Sequence, residues 1–130
     1  MKNYYIYFFI PVLLIGTFSS CSPQQNTQKV IDGKVSLQQF KTKLSNVSNP
    51  QLIDVRTPGE VEGGTIEGAT NMDFNAQTFE SQLNTLNKNQ PVFIFCQSGG
   101  RSGQSYSIMK KMGFSEVYDL EGGYMEWSKQ

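Results

Sequence analysis

Val92-Phe93-Ile94-Phe95 is an unbroken run of β-branched and aromatic residues, and it constrains the fold more than any other stretch of the chain. Such a run reads as a strand buried on both faces. It ends on Cys96-Gln97-Ser98-Gly99-Gly100-Arg101-Ser102, and the segment from Ser105 to Met112 then reads as a helix. A buried strand followed directly by a helix is the repeating step of an α/β sheet. The loop between the two hangs at the carboxyl end of the strand, where open sheets of this kind hold their ligands.

The rest of the chain continues the alternation. Val30-Ile31 is a candidate short strand, and Ser36-Leu37-Gln38-Gln39 has the spacing of a capping box. Leu37, Phe40 and Leu44 follow at helical spacing, Asn49-Pro50 marks a turn, and Leu52 to Val55 reads as a strand. Pro58 suits the first turn of a short helix through Glu62, which Gly63-Gly64 ends. Phe79, Leu83 and Leu86 predict a second amphipathic helix, and Tyr106, Met109 and Met112 a third. Val117-Tyr118 is a short strand and Tyr124 to Trp127 a terminal helix. Strands alternating with helices imply a mostly parallel sheet with helices on both faces.

Gly99 and Gly100 let the loop after Cys96 curl with its N–H groups turned inward. Such a concavity binds anions, and the following helix adds positive potential at its amino end. A cysteine placed there has a lowered pKa and is partly thiolate. The competing reading is a core cysteine beside an ordinary strand-to-helix turn.

The chain contains no histidine. Cys-His and Ser-His-Asp catalysis and His-ligated zinc are therefore excluded, and no metal or cofactor is implied. The chain has two arginines, Arg56 directly after the Leu52 to Val55 strand and Arg101 inside the Cys96 to Ser102 stretch. Eleven cationic and eleven acidic residues balance, and no basic stripe indicates nucleic acid. Gly63-x4-Gly68 lacks the lysine of a phosphate-binding loop and reads as a turn, while Glu60, Glu62 and Glu67 read as charges on an exposed loop.

Three ordered segments resemble the rhodanese family, from roughly Val30 to Gln130. Leu52-Ile53-Asp54-Val55-Arg56-Thr57-Pro58, continuing through Glu60 and Gly64 to Ala69 and Asn71, resembles its first signature. The Cys96 to Ser102 stretch resembles its active-site loop, and Gly122-Gly123-Tyr124-Met125-Glu126-Trp127 its closing motif. Thr65 stands where the family usually has His, and Glu67 where it usually has Pro. The resemblance implies a rhodanese-like α/β fold and a sulfurtransferase. Cys96 would attack the outer sulfur of thiosulfate or a persulfide and carry it as a persulfide to a thiol or another thiophilic acceptor. Backbone donors from Gln97 to Ser102 would hold that sulfur, and Arg101 would support the loop and meet the leaving anion. Asp54 and Arg56 would orient it. Two alternatives stay open: a cysteine phosphatase or arsenate reductase of the same fold, and a tethered binding module without turnover. The phosphatase loops carry five residues between Cys and Arg, whereas four lie between Cys96 and Arg101.

The amino-terminal end is of another kind. Met1-Lys2-Asn3 is a short cationic start, Tyr4 to Gly16 is almost wholly apolar, and Ser19-Ser20 precedes Cys21. These are the regions of a signal peptide over residues 1–20, and the junction resembles a bacterial lipobox. Cys21 would then be the lipidated, palmitate-bearing first residue of an exported, membrane-anchored lipoprotein on a periplasmic or extracellular face. Residues 21–29 are polar and suit a flexible tether, leaving 30–130 as the domain. An uncleaved anchor, or a disulfide between Cys21 and Cys96, competes with this reading; acylation of Cys21 forbids the disulfide. In an oxidising compartment Cys96 would need a thioredoxin-like reductant as partner.

Overall fold

The computed structural model describes residues 32–130. The expectations for the leader, Cys21, the tether and the Val30-Ile31 strand lie outside the described residues. The elements run β1 (Gly33–Val35), α1 (Leu37–Ser45), β2 (Gln51–Asp54), α2 (Pro58–Glu62), β3 (Thr70–Asn71), α3 (Phe79–Leu83), β4 (Val92–Phe95), α4 (Gly100–Lys111), β5 (Val117–Leu120) and α5 (Gly123–Trp127). The strands form one sheet in the order β1-β5-β4-β2-β3. Every pairing is parallel, so the sheet is all-parallel rather than mostly so. β4 is its central strand, which explains why its sequence has no polar side.

The side-chain alternation of a strand divides the core in two. Val92, Ile94 and Cys96 face one way and pack with Ile53, Phe79, Leu83, Met109 and Val117, under α3 and α4. Phe93 and Phe95 face the other way and meet Phe40, Leu52, Tyr118 and Leu120, with Tyr124 and Trp127 of α5 alongside. Phe93 sits edge-on to Phe40 at 5.5 Å between ring centres, a favoured aromatic geometry. Cys96 therefore continues the α4-facing side of the central strand, one residue beyond the sheet.

Several boundaries differ from the sequence expectation. The Ser36 capping box is present, with the Ser36 side chain and Gln39 each bonding the other's backbone N–H. α3 stops at Leu83, so Leu86 packs against the core from a turn instead of a helix. α4 begins at Gly100 and not near Ser105. Gly and Ser are poor helix formers, but Gly99 takes the left-handed conformation at φ 105° and starts the helix as soon as the loop has turned. Arg101 and Ser102 consequently belong to the first turn of α4. β3, a two-residue edge strand beside β2, is too short to leave a sequence pattern.

Candidate active site

Cys96 lies at the carboxyl end of the central strand and is 1 % exposed. It is a free thiol. The Gly99 backbone N–H donates to Cys96 Sγ at 3.0 Å, and the Ser102 hydroxyl donates to the same sulfur at 3.5 Å. Burial works to raise the thiol pKa. The hydroxyl of Ser102 and the N–H groups of Ser102, Gly99 and Ser98 together outweigh it, and the pKa falls below the ordinary thiol value. The loop thus stabilises an anionic sulfur with fixed dipoles and no neighbouring imidazole.

Not every loop residue points inward. The side chain of Gln97 accepts a hydrogen bond from Arg56 Nη1 at 3.1 Å. Gly100 faces open space, with nothing within 4 Å of the position a Cβ would take. The outer side of the loop is held by α5: Tyr124 N–H donates to the Cys96 carbonyl at 2.7 Å and Met125 N–H to the Gln97 carbonyl at 3.0 Å. That approach needs Gly123 at φ 60°, because a Cβ there would overlap the Cys96 carbonyl oxygen and lie 2.8 Å from both C and O of Gln97.

Asp54 and Arg56 form a buried ion pair at 2.7 Å beside this loop. Arg56 Nε also bonds Asp54 Oδ1 at 3.0 Å, Nη2 bonds the Gly64 carbonyl at 2.7 Å, and the guanidinium stacks 4.1 Å from the centre of the Tyr124 ring. Thr65, at the position where the rhodanese resemblance departs, donates its hydroxyl to Asp54 Oδ2 at 2.7 Å. A buried pair survives the cost of desolvation when its remaining donors and acceptors are satisfied, and here Gly64, Thr65 and Gln97 satisfy them. The polar contacts of Asp54 and Arg56 run to the loop's scaffold and not to the sulfur.

Arg101 is also committed. Its Nη1 and Nη2 donate to Glu60 Oε2 and Oε1, each at 2.7 Å, in a fork-to-fork pair. Glu60 is therefore no free charge on an exposed loop, as its sequence context suggested. It lies on α2, caps that helix through Thr57, and bridges it to α4. The pair with Arg101 and the Thr57 hydrogen bonds, working against partial burial, hold its carboxyl at about 2. The spacing Thr57-x-x-Glu60, the same capping-box signature that Ser36 displays, was the available sequence signal. The resemblance implied that Arg101 supports the loop and meets the leaving anion; in this structure its fork pairs with Glu60.

The comparisons agree with this architecture. The Rhodanese-like domain family matches residues 36–130, and the chain belongs to that family. It is 31 % identical over 127 residues to the uncharacterized protein YqhL of Bacillus subtilis, covering 98 % of this chain and 94 % of the relative. A protein of Allochromatium vinosum named sulfurtransferase is 26 % identical over 96 residues, covering 74 % of this chain and 88 % of its own. The crystal structure of a rhodanese-like domain protein from Staphylococcus aureus superposes with a TM-score of 0.64 at 30 % identity, covering 72 % of this chain and 89 % of that one.

Proposed function

We propose that the protein transfers sulfane sulfur from thiosulfate or a persulfide to a thiophilic acceptor through a persulfide on Cys96. A rhodanese-type sulfurtransferase is the class its family defines; the donor and the covalent intermediate are the finer part of the proposal. The observation that carries it is the sulfur of Cys96 under the Gly99 N–H and the Ser102 hydroxyl, with a lowered pKa. The thiolate attacks the outer sulfur of thiosulfate; the new S–S bond forms as the old one breaks, and its electron pair leaves on sulfite. The persulfide anion then occupies the same donors. Cyanide, or a thiolate in the cell, attacks the terminal sulfur and returns the Cys96 thiolate. The species that react are anions and the transfers move electron pairs between sulfur atoms, so no bond-making step requires a general base.

The fork of Arg101 is closed on Glu60, which argues against a phosphatase reading in which that fork grips a tetrahedral oxyanion. For the amino-terminal residues, the leader pattern before Cys21 supports export and lipid anchoring, with a thioredoxin-like reductant keeping Cys96 reduced.

The test is mass spectrometry of the purified full chain after incubation with thiosulfate. Cys96 should gain one sulfur atom that cyanide removes as thiocyanate, and Cys96→Ser should show neither the gain nor turnover. Turnover that persists in Cys96→Ser, or hydrolysis of a phosphate ester at comparable efficiency, overturns the proposal.

A further inference from the structure

A buried acid lies beside the cysteine loop and takes no part in the sulfur chemistry above. Asp119 on β5 is 1 % exposed, and among the described residues no group hydrogen-bonds its Oδ1. Its neighbours in strand register are Lys34 on β1 and Ile94 on β4. Alternation with Tyr118 and Leu120 turns it toward α4, where its Oδ2 lies 3.9 Å from the position a Cβ would take on Gly103. The residue before Gly103 is Ser102, fully buried, whose hydroxyl reaches Cys96 Sγ. Among the described residues, the Ser102 hydroxyl on α4 and the exposed Lys34 ammonium on β1 are the groups that pull the Asp119 pKa down; Ile94 from β4 is apolar.

A hydroxyl has one proton and can give it to one acceptor at a time. Ser102 has two acceptors beside its turn of α4, the sulfur at 3.5 Å and the carboxyl packed against the neighbouring Gly103. As a neutral acid, Asp119 can donate its own proton to Ser102 Oγ and leave the Ser102 proton on the sulfur. As a carboxylate it takes the Ser102 proton and sets a second negative charge near the thiolate. We propose that Asp119 is a positioning residue for Cys96 that acts through the Ser102 hydroxyl, directing that proton onto the sulfur in its acid form and withdrawing it in its ionised form. This rests on Cys96 being the nucleophile. Burial favours the acid form and raises the Asp119 pKa, against the opposing effects of Ser102 and Lys34. The only proton released is the one Asp119 gives to solvent when it ionises.

The test is the pH profile of Cys96 alkylation by iodoacetamide in the full chain. It needs no sulfur donor, so a failure of sulfur transfer and a failure of this coupling are read separately. Asp119→Asn keeps the shape and an N–H donor but cannot ionise. It should simplify the profile to a single ionisation and lower the thiol midpoint; a fall of about half a pH unit gives ~3-fold faster alkylation on the acid side. Ser102→Ala should raise the midpoint, and in that background Asp119→Asn should shift it less than in the parent. Superimposable profiles for wild type and Asp119→Asn, or a shift as large without the Ser102 hydroxyl as with it, overturn the proposal. Should Asp119→Asn fail to fold, carbon-13 NMR of the side-chain carboxyls gives the answer from the other partner. The Asp119 midpoint should fall in Cys96→Ala, where the sulfur charge is gone, and an unchanged or raised midpoint overturns the proposal equally.

Discussion

Gly123→Ala tests whether the cysteine loop is shaped from outside by α5. At φ 60°, an alanine bears the left-handed penalty of about 1–2 kcal/mol. Its Cβ would also overlap the carbonyl oxygen of Cys96 and press on the backbone of Gln97, where no flexible side chain can yield. Relief requires α5 and the loop to separate, which breaks the hydrogen bonds from Tyr124 to Cys96 and from Met125 to Gln97. Those contribute roughly 0.5–1.5 kcal/mol each, so the total loss should be about 2–5 kcal/mol. Gly68→Ala is the control: φ is 82°, but nothing lies within 4 Å of its Cβ, so only the backbone penalty applies. Urea unfolding of both variants, read at the midpoint with an unchanged slope, gives the comparison. Gly123→Ala should also alkylate at Cys96 with a higher thiol midpoint, because a displaced loop no longer aims its N–H groups at the sulfur. If Gly123→Ala loses no more stability than Gly68→Ala and keeps the wild-type alkylation profile, the contact between α5 and the loop does not shape the site.

Arg56→Met should leave Asp54 buried without its main partner and cost about 3–5 kcal/mol in urea unfolding, far more than an exposed ion pair would. Glu60→Gln should cost less, up to about 1 kcal/mol at neutral pH, since the pair with Arg101 is partly exposed. Because the Glu60 pKa is lowered to about 2, its contribution is fully present above the ordinary carboxylate value and is lost as pH falls through about 2; the stability curves of wild type and Glu60→Gln should converge there. Arg101→Ala should slow turnover while persulfide formation, which depends on the loop's backbone donors, persists in the mass spectrum. Detergent partitioning of wild type and Cys21→Ala should differ sharply; if both behave as membrane proteins of unprocessed mass, the leader is an uncleaved anchor.

The elements that pattern reveals are those whose burial is continuous or periodic. Val92 to Phe95 reads as a central strand because both its faces are covered, and Ser36 and Pro58 mark helix starts through local chemistry. α4 was legible only in its second half, where Tyr106, Met109 and Met112 repeat at helical spacing. Its first turn, Gly100-Arg101-Ser102, has the composition of a loop and is helical because Gly99 turns the chain into it. Cys96 was legible from its place between strand and glycines. Asp119 was not: it sits in a four-residue strand whose neighbours are apolar, and only the packing of α4 shows that an acid there lies against Gly103, the residue after Ser102. Glu60 was misjudged because an ion pair between residues 41 positions apart leaves no periodic trace.

The three sequence segments that resemble one family are a single object in space, and Arg56 is the reason. Its guanidinium meets Asp54 from the first segment, the Gly64 carbonyl farther along it, Gln97 from the cysteine loop and the Tyr124 ring from the last. A lysine could satisfy one of these contacts but not the planar set, since it lacks both the fork and the flat face that stacks on tyrosine. Arg56 thus commits its donors to carbonyls, an amide and a carboxylate, and Arg101 gives its own to Glu60. What remains to hydrogen-bond the sulfur is the backbone of Ser98, Gly99 and Ser102 with one hydroxyl, while Arg101 acts on it through charge alone. Those donors suit the nucleophile proposed for Cys96, a soft anion that asks for no imidazole, in a chain without histidine.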